Sequence, residues 1–347
     1  MLFLSDAEID ALAIHKVGNK NREEDLLISD ELLNIRDLEL KDAVAKYFFS
    51  SMKEDLFFTF HHETDIALNE VFYYSKEIFK NPDSLLEHSA NLAKLLYERS
   101  VHPNVKSGEL YVGYFKKCQV NEEEVDAIGL FKSESRHSFL KVLQNNNKID
   151  LAHEKGIDIS RLDKGCLIYK TNEENGYILS VVDNTNKRSE AKYWMDEFLQ
   201  VKENEDNHYT TRNFMNLCKD FITLDLPDKF EVSKPDQMDL LSKSANYLKE
   251  NESLDFNTYA ESVMEQGEVI ERFNSFKDQY QDEKGVNLYN NFEISPSTVK
   301  KQSRIFKSIL KLDKNFHIYI HGNRNMIEQG EDENGRKFYK IYYEKES

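Results

Sequence analysis

The chain has 347 residues and a formal net charge of -17, with 39% hydrophobic and 31% charged residues and only 12 Gly and 5 Pro. This composition excludes a disordered or fibrous chain and predicts a soluble, helix-rich globular protein too long for one hydrophobic core. The excess of 63 Asp plus Glu over 46 Lys plus Arg also excludes a protein that coats a polyanion by bulk positive charge, so any contact with phosphate must be local.

The first residues, "MLFLSDAEIDALAIHKVGN", have no basic leader and reach Asp6, Glu8 and Asp10 before any useful apolar run, a pattern unlike a signal peptide. No stretch approaches the roughly 18 apolar residues that span a bilayer, so the expectation is a cytoplasmic protein without membrane contact. "DALAIHKVGN" and "EEDLLISD" read as a strand pair across "GNKNRE", and "DLELKDAVAKYFFSSM" as a helix. From Asn81, "NPDSLLEHSANLAKLLYERS" has an Asn-Pro opening, early acids and helically spaced apolar residues. "GELYVGYFKKCQV", "VDAIGLFKSES" and "HSFLKVLQ" then read as three strands of an antiparallel meander, split by the acidic turn "NEEE". "KGCLIYKTNEENGYILSVVDN" is a hairpin punctuated at Gly176, and "RSEAKYWMDEFLQV" a helix opened by Ser189.

The acidic bridge "KENEDNHYTT", residues 202–211, is the expected boundary, giving lobes 1–204 and 205–347. Beyond it, "TRNFMNLCKDFITL", "SKPDQMDLLSKSANYLKEN" and "DFNTYAESVME" read as helices. The end of the chain reads as a helix, "SPSTVKKQSRIFKSILKLD", and two strands, "NFHIYIHGN" and "KFYKIYYEKE", with "EDENGRK" as the hairpin loop. The fold class is α+β: an antiparallel sheet with helices in the first lobe, and a helix-rich second lobe ending in a helix and a β-hairpin.

Sites of chemistry are scarce. The sequence has no P-loop, no G-x-G-x-x-G and no G-x-S-x-G. "FHHETD" lacks the second histidine that a helical H-E-x-x-H metal site places on one face, and His317 and His321 share a strand side without a marked third ligand. Cys118, Cys166 and Cys218 are an odd set at wide spacing, read as reduced structural thiols. The expectation is a non-enzymatic protein with no cofactor and no metal.

The strongest feature is cationic. From Pro296 to His321 there are six Lys or Arg against one acid, Asp313, a local balance of +5. At about 100° per residue on a helix, Lys300, Arg304, Lys307 and Lys311 fall near one line, opposite Val299, Ile305, Phe306, Ile309, Leu310 and Leu312. Lys301 and Lys314 lie at its margins. These six residues are the candidate nucleic-acid contacts, and a solvated face without a partner is the competing reading.

"AIHKVGN", "LNEVFYYSKEIF", "GELYVGYFKKC", "DAIGLFKSES", "LDKGCLIYK", "YWMDEFLQV" and "FKSILKLDKNFHIYIHG", in this order, resemble the bacterial nucleoid-associated proteins of the NdpA type, in the version of Bacteroidetes-like bacteria. The resemblance runs from end to end and implies association with the bacterial chromosome in the cytoplasm. It supplies no catalytic residue and no DNA-contacting motif, so the candidate contacts rest on charge geometry alone. Two routes to the chromosome stay open: direct binding of DNA with little sequence preference, or docking of an acidic adaptor onto a DNA-bound protein. A DNA-processing enzyme would need a carboxylate cluster for Mg²⁺, which assembles only in space. Homo-oligomerisation is also open.

Overall fold

The computed structural model describes residues 2–4, 6–52, 56–120, 123–145, 148–185, 193–306, 308–313, 315–320 and 326–345. The chain divides into two compact units, Met1–Asn204 and Glu205–Ser347.

In chain order the first unit comprises β1 (Leu2–Phe3), β2 (Glu8–Val17), β3 (Leu26–Leu27), α1 (Leu38–Phe49), β4 (Phe57–Phe60), α2 (Glu70–Lys80) and α3 (Leu85–Arg99). There follow β5 (Gly108–Val120), β6 (Glu123–Ser133), β7 (His137–Asn145), β8 (Lys148–Gly156), β9 (Lys164–Tyr169), β10 (Ile178–Asp183), a π-helical turn over Tyr193–Leu199 and β11 (Val201–Glu203). Nine strands make one antiparallel sheet in the order β11-β4-β10-β9-β6-β5-β2-β3, with β1 on the end of β5. The central strands are buried on both faces, which is why "GCLIY" reads as an unbroken apolar run. Alternate residues serve opposite layers. Leu110, Val112, Ile128, Leu130 and Ile168 meet α2, α3 and the π-helical turn, whereas Phe115, Phe131, Leu167 and Tyr169 meet α1, whose Phe48 stacks on Phe131 at 4.1 Å.

The meander expected from "GELYVGYFKKCQV", "VDAIGLFKSES" and "HSFLKVLQ" is corrected at its third member. Strand β6 pairs with β9, and β7 leaves the sheet to pair with β8 in a separate two-stranded ribbon. The chain is turned away where Glu134 N and Ser135 N both donate to Asp163 Oδ2 at 2.7 Å, which takes these amides from the ladder. The six fully buried residues of β9 then cover β6 better than β7 could. Ser189, the expected opening of the helix "RSEAKYWMDEFLQV", lies outside the described residues, and of that segment Tyr193–Leu199 forms the π-helical turn.

The second unit contains α4 (Asn207–Asp220), a π-helical stretch over Phe221–Asp225 that continues into α5 (Leu226–Lys229), α6 (Lys234–Glu250), β12 (Ser253–Asp255), α7 (Phe256–Met264) and α8 (Gly267–Lys284). It ends with β13 (Asn291–Glu293), α9 (Pro296–Gln302), a 3₁₀ turn over Ser303–Phe306, β14 (Ser308–Leu312), β15 (Phe316–Ile320), β16 (Ile327–Glu331) and β17 (Lys337–Ile341). The helices close on a core of Phe214, Phe221, Phe256, Tyr259 and Phe273. In it Phe256 stacks on Phe273 at 5.0 Å.

Here the single helix expected over "SPSTVKKQSRIFKSILKLD" is corrected. It stops at Gln302, tightens into the 3₁₀ turn, and residues 308–312 form a strand paired with Phe316–Ile320. A short apolar run such as "SILKL" fits either period, and a strand partner three residues away supplies backbone hydrogen bonds that propensity does not anticipate. Asp313 makes the turn at φ +50°, a conformation that Asp tolerates better than most residues. The hairpin expected between "NFHIYIHGN" and "KFYKIYYEKE" is corrected as well: Lys337–Ile341 pairs instead with Ile327–Glu331, across the expected loop.

Candidate nucleic-acid interface

Three of the six candidate cations are held by α9 and the turn after it. Ser295 caps the helix by accepting from Thr298 N at 3.3 Å, and Pro296 occupies the first turn, where its missing N–H costs nothing. The cap is anchored from α4: Ser295 N donates to Thr211 Oγ1 at 2.9 Å, and His208 Nδ1 lies 2.9 Å from both the Ser295 and Thr298 hydroxyls. Thr298, Val299 and Phe306 are buried against the core, while Lys300, Lys301 and Arg304 are exposed. The seat is therefore rigid, and the cations project from its outer side.

Lys300 and Lys301 stand in the last turn of α9, where the carbonyl end of the helix dipole favours positive charge. Lys301 and Arg304 are three apart, one turn of a 3₁₀ helix, so they neighbour one another. Neither Lys300 nor Arg304 has an ion-pair partner among the described residues. Lys311 lies on β14, in register with His317, and not on the helix face assumed from the sequence. Lys307 and Lys314 lie outside the described residues, as does His321. The structure thus groups Lys300, Lys301 and Arg304, and removes the helical line that joined them to Lys311.

Sequence reasoning missed a buried ionic cluster in the first unit. Lys132 and Lys164 face each other across β6 and β9, with the Tyr193 ring 5.4 Å from one ammonium and 5.1 Å from the other. Lys132 Nζ sits 3.1 Å from Glu134 Oε1 and donates to Tyr193 OH (3.1 Å) and Lys106 O (3.0 Å). Tyr193 OH donates in turn to Glu134 Oε1 at 2.6 Å. Lys164 binds both oxygens of Asp183 at 2.8 Å. Burial pulls the Lys132 pKa down, against the opposing effect of Glu134, and burial pushes the Tyr193 hydroxyl well up. Every donor of Lys132 is used within the protein, so the cluster ties two strands to the π-helical turn. Its signal was a lysine at the edge of an apolar run, closing "AIGLFK" and opening "KGCLIY".

Beside this cluster is a cavity of about 420 Å³ whose rim carries Lys106, Arg136 and Arg161 but also Glu134, Asp158 and Asp163. Balanced charge of this kind does not make a phosphate pocket. Around "FHHETD", His62 Nδ1 accepts from Thr64 N and Asp65 caps a short 3₁₀ turn, which is ordinary turn chemistry. Among the described residues no three His, Cys, Asp or Glu side chains group to hold a metal ion. The three cysteines are free and buried, and burial pushes the Cys118 thiol up to about 12.

The fold and the exposed cations define a two-unit α+β protein with a locally basic surface on an acidic chain. The family described as nucleoid-associated protein YejK matches residues 13–336, across both units, and the chain belongs to that family. Membership places it at the bacterial nucleoid, within the cytoplasm, in a family that is generally non-enzymatic. The match speaks to the family and not to a bacterial lineage. No curated protein matches the chain. No helix among the described residues is long and apolar enough to cross a membrane.

Proposed function

We propose that the protein binds DNA directly and with little sequence preference, through Lys300, Lys301 and Arg304 together with Lys307, Lys311 and Lys314 on the segment that follows, and that it performs no chemistry on the DNA and needs no cofactor or metal. The observation that carries this reading is the exposure of Lys300, Lys301 and Arg304 on a core-anchored seat, within a segment of +5 in a chain of -17. An acidic protein holds a polyanion only where cations outnumber acids locally. Ammonium and guanidinium contacts to phosphate position a protein without reading bases, hence the weak sequence preference.

The test is the Lys300→Glu, Lys301→Glu, Arg304→Glu variant, measured on duplexes of unrelated sequence across a salt series. Affinity should fall alike for all duplexes, and the log–log salt slope should flatten by about one unit for each phosphate that is no longer neutralised. A folded variant that binds with unchanged affinity and slope removes this surface from consideration. The net charge of -17 favours a second reading, an acidic adaptor that reaches the chromosome through a DNA-bound protein. In that case the wild-type protein fails to bind duplex even at low salt, and its retention on isolated nucleoids survives nuclease.

A further inference from the structure

Among the described residues the ribbon of β7 and β8 pairs only with itself, from His137↔Gly156 to Asn145↔Lys148. Side chains alternate across it, and the register therefore sorts its residues onto two faces. One face carries Leu140, Val142, Ile149 and Leu151 at its centre, exposed by 69%, 65%, 78% and 62%. Among the described residues its only full charge is Lys155, near the base of the ribbon beside Ser138, and His153 and Gln144 flank the aliphatic side chains opposite Leu140 and Ile149. The opposite face carries Lys141, Lys148, Asp150 and Glu154, with Lys141 and Glu154 paired at 3.3 Å, and sets the less exposed Phe139 and Leu143 among these charges. Charge has been kept off one face of an otherwise solvated element, which leaves four aliphatic side chains in water.

We propose that this face is the contact through which two copies of the chain associate, ribbon against ribbon about a two-fold axis. A two-fold places a patch on itself, so the patch must be self-complementary. This one is: an aliphatic centre meets an aliphatic centre of the same size, with His153 and Gln144 at its sides and the charge of Lys155 at its edge. At these exposures the four side chains offer roughly 450 Å² per copy, so two copies bury about 900 Å² before any rim contact, near the roughly 1,000 Å² of a specific interface. Nucleic acid does not fit the same face, because a polyanion needs several cations and finds one lysine.

The experiment is sedimentation equilibrium of the full chain at rising concentration, to about 100 μM, where an interface of this size is populated. The wild type should pass from the 40.8 kDa monomer to twice that mass, and the Val142→Glu, Leu151→Glu variant should stay monomeric with an unchanged circular-dichroism melt. Lys141→Ala, on the opposite face, should dimerise as the wild type does. A wild type monomeric throughout, a double variant that still dimerises, or loss of the dimer in Lys141→Ala as well would each overturn the proposal.

Discussion

His15 shows how one side chain can make a fold sensitive to pH. It lies buried on β2, with Nε2 2.9 Å from Ser89 Oγ on α3 and Nδ1 accepting from Ser29 N at 3.1 Å. The Ser89 hydroxyl donates to Leu86 O, so it accepts from Nε2–H, and the ring is the neutral tautomer with its proton on Nε2. Burial holds its pKa below the usual 6.5. A histidine depressed in the folded state binds fewer protons there than in the unfolded chain. Its contribution is present above pH 6.5 and is lost as pH falls through the folded pKa. Melting temperature should therefore decline as pH drops below about 6.5, and His15→Ala should flatten that decline while costing about 2 kcal/mol at neutral pH. Proton NMR reads the same property directly. A His15 ring that titrates at or above 6.5 would contradict this account.

Among the elements, the pairing of β5 with β6 depends on two glycines. Gly113 and Gly129 are opposite one another, on the face that α1 covers. A Cβ on Gly129 would lie 2.6 Å from the Phe115 ring and one on Gly113 2.7 Å from the same ring, which stands edge-on to Phe131 at 6.0 Å. The missing side chains are the space that these rings fill. Gly129→Ala should therefore destabilise the first unit by about 1–3 kcal/mol, the usual cost of overpacking a dense core. A denaturant midpoint equal to the wild type would show that the rings move aside freely. The end of α9 illustrates the opposite situation: which of its residues are exposed could be read from amphipathic spacing, but its length could not. Val299 and Phe306 face inward as that spacing indicates, and Lys300, Lys301 and Arg304 face outward. The helical line failed beyond Phe306 because β15 captures the next segment through its backbone.

For the whole molecule, the division at Asn204 and Glu205 separates two clusters that each bury large aromatic residues. The junction is short: β11 ends at Glu203, and Asp206 already caps α4 by accepting from His208 N and Tyr209 N. We propose that each unit folds by itself, since each encloses a core of its own. Separately expressed fragments 1–204 and 205–347 should each melt cooperatively. A fragment without a cooperative transition would show that its unit depends on the other. If the basic segment is the DNA contact, fragment 205–347 should retain the salt-dependent binding, and fragment 1–204 should retain self-association through its ribbon.

By itself, the sequence determined the α+β class, the turn at Gly176 with φ +93° and the loop "EDENGRK" before the last strand. These are local matters, decided by period, apolar runs and the few residues that accept positive φ. Only the tertiary structure decided that β9 and not β7 lies beside β6, that residues 308–312 form a strand, and that Lys132 meets Lys164 across a tyrosine ring. A strand's partner is chosen by competition among distant segments for the same buried edge. The outcome depends on how much apolar surface each candidate covers and on which amides a side chain such as Asp163 has already claimed, and neither is written in the spacing of any one segment.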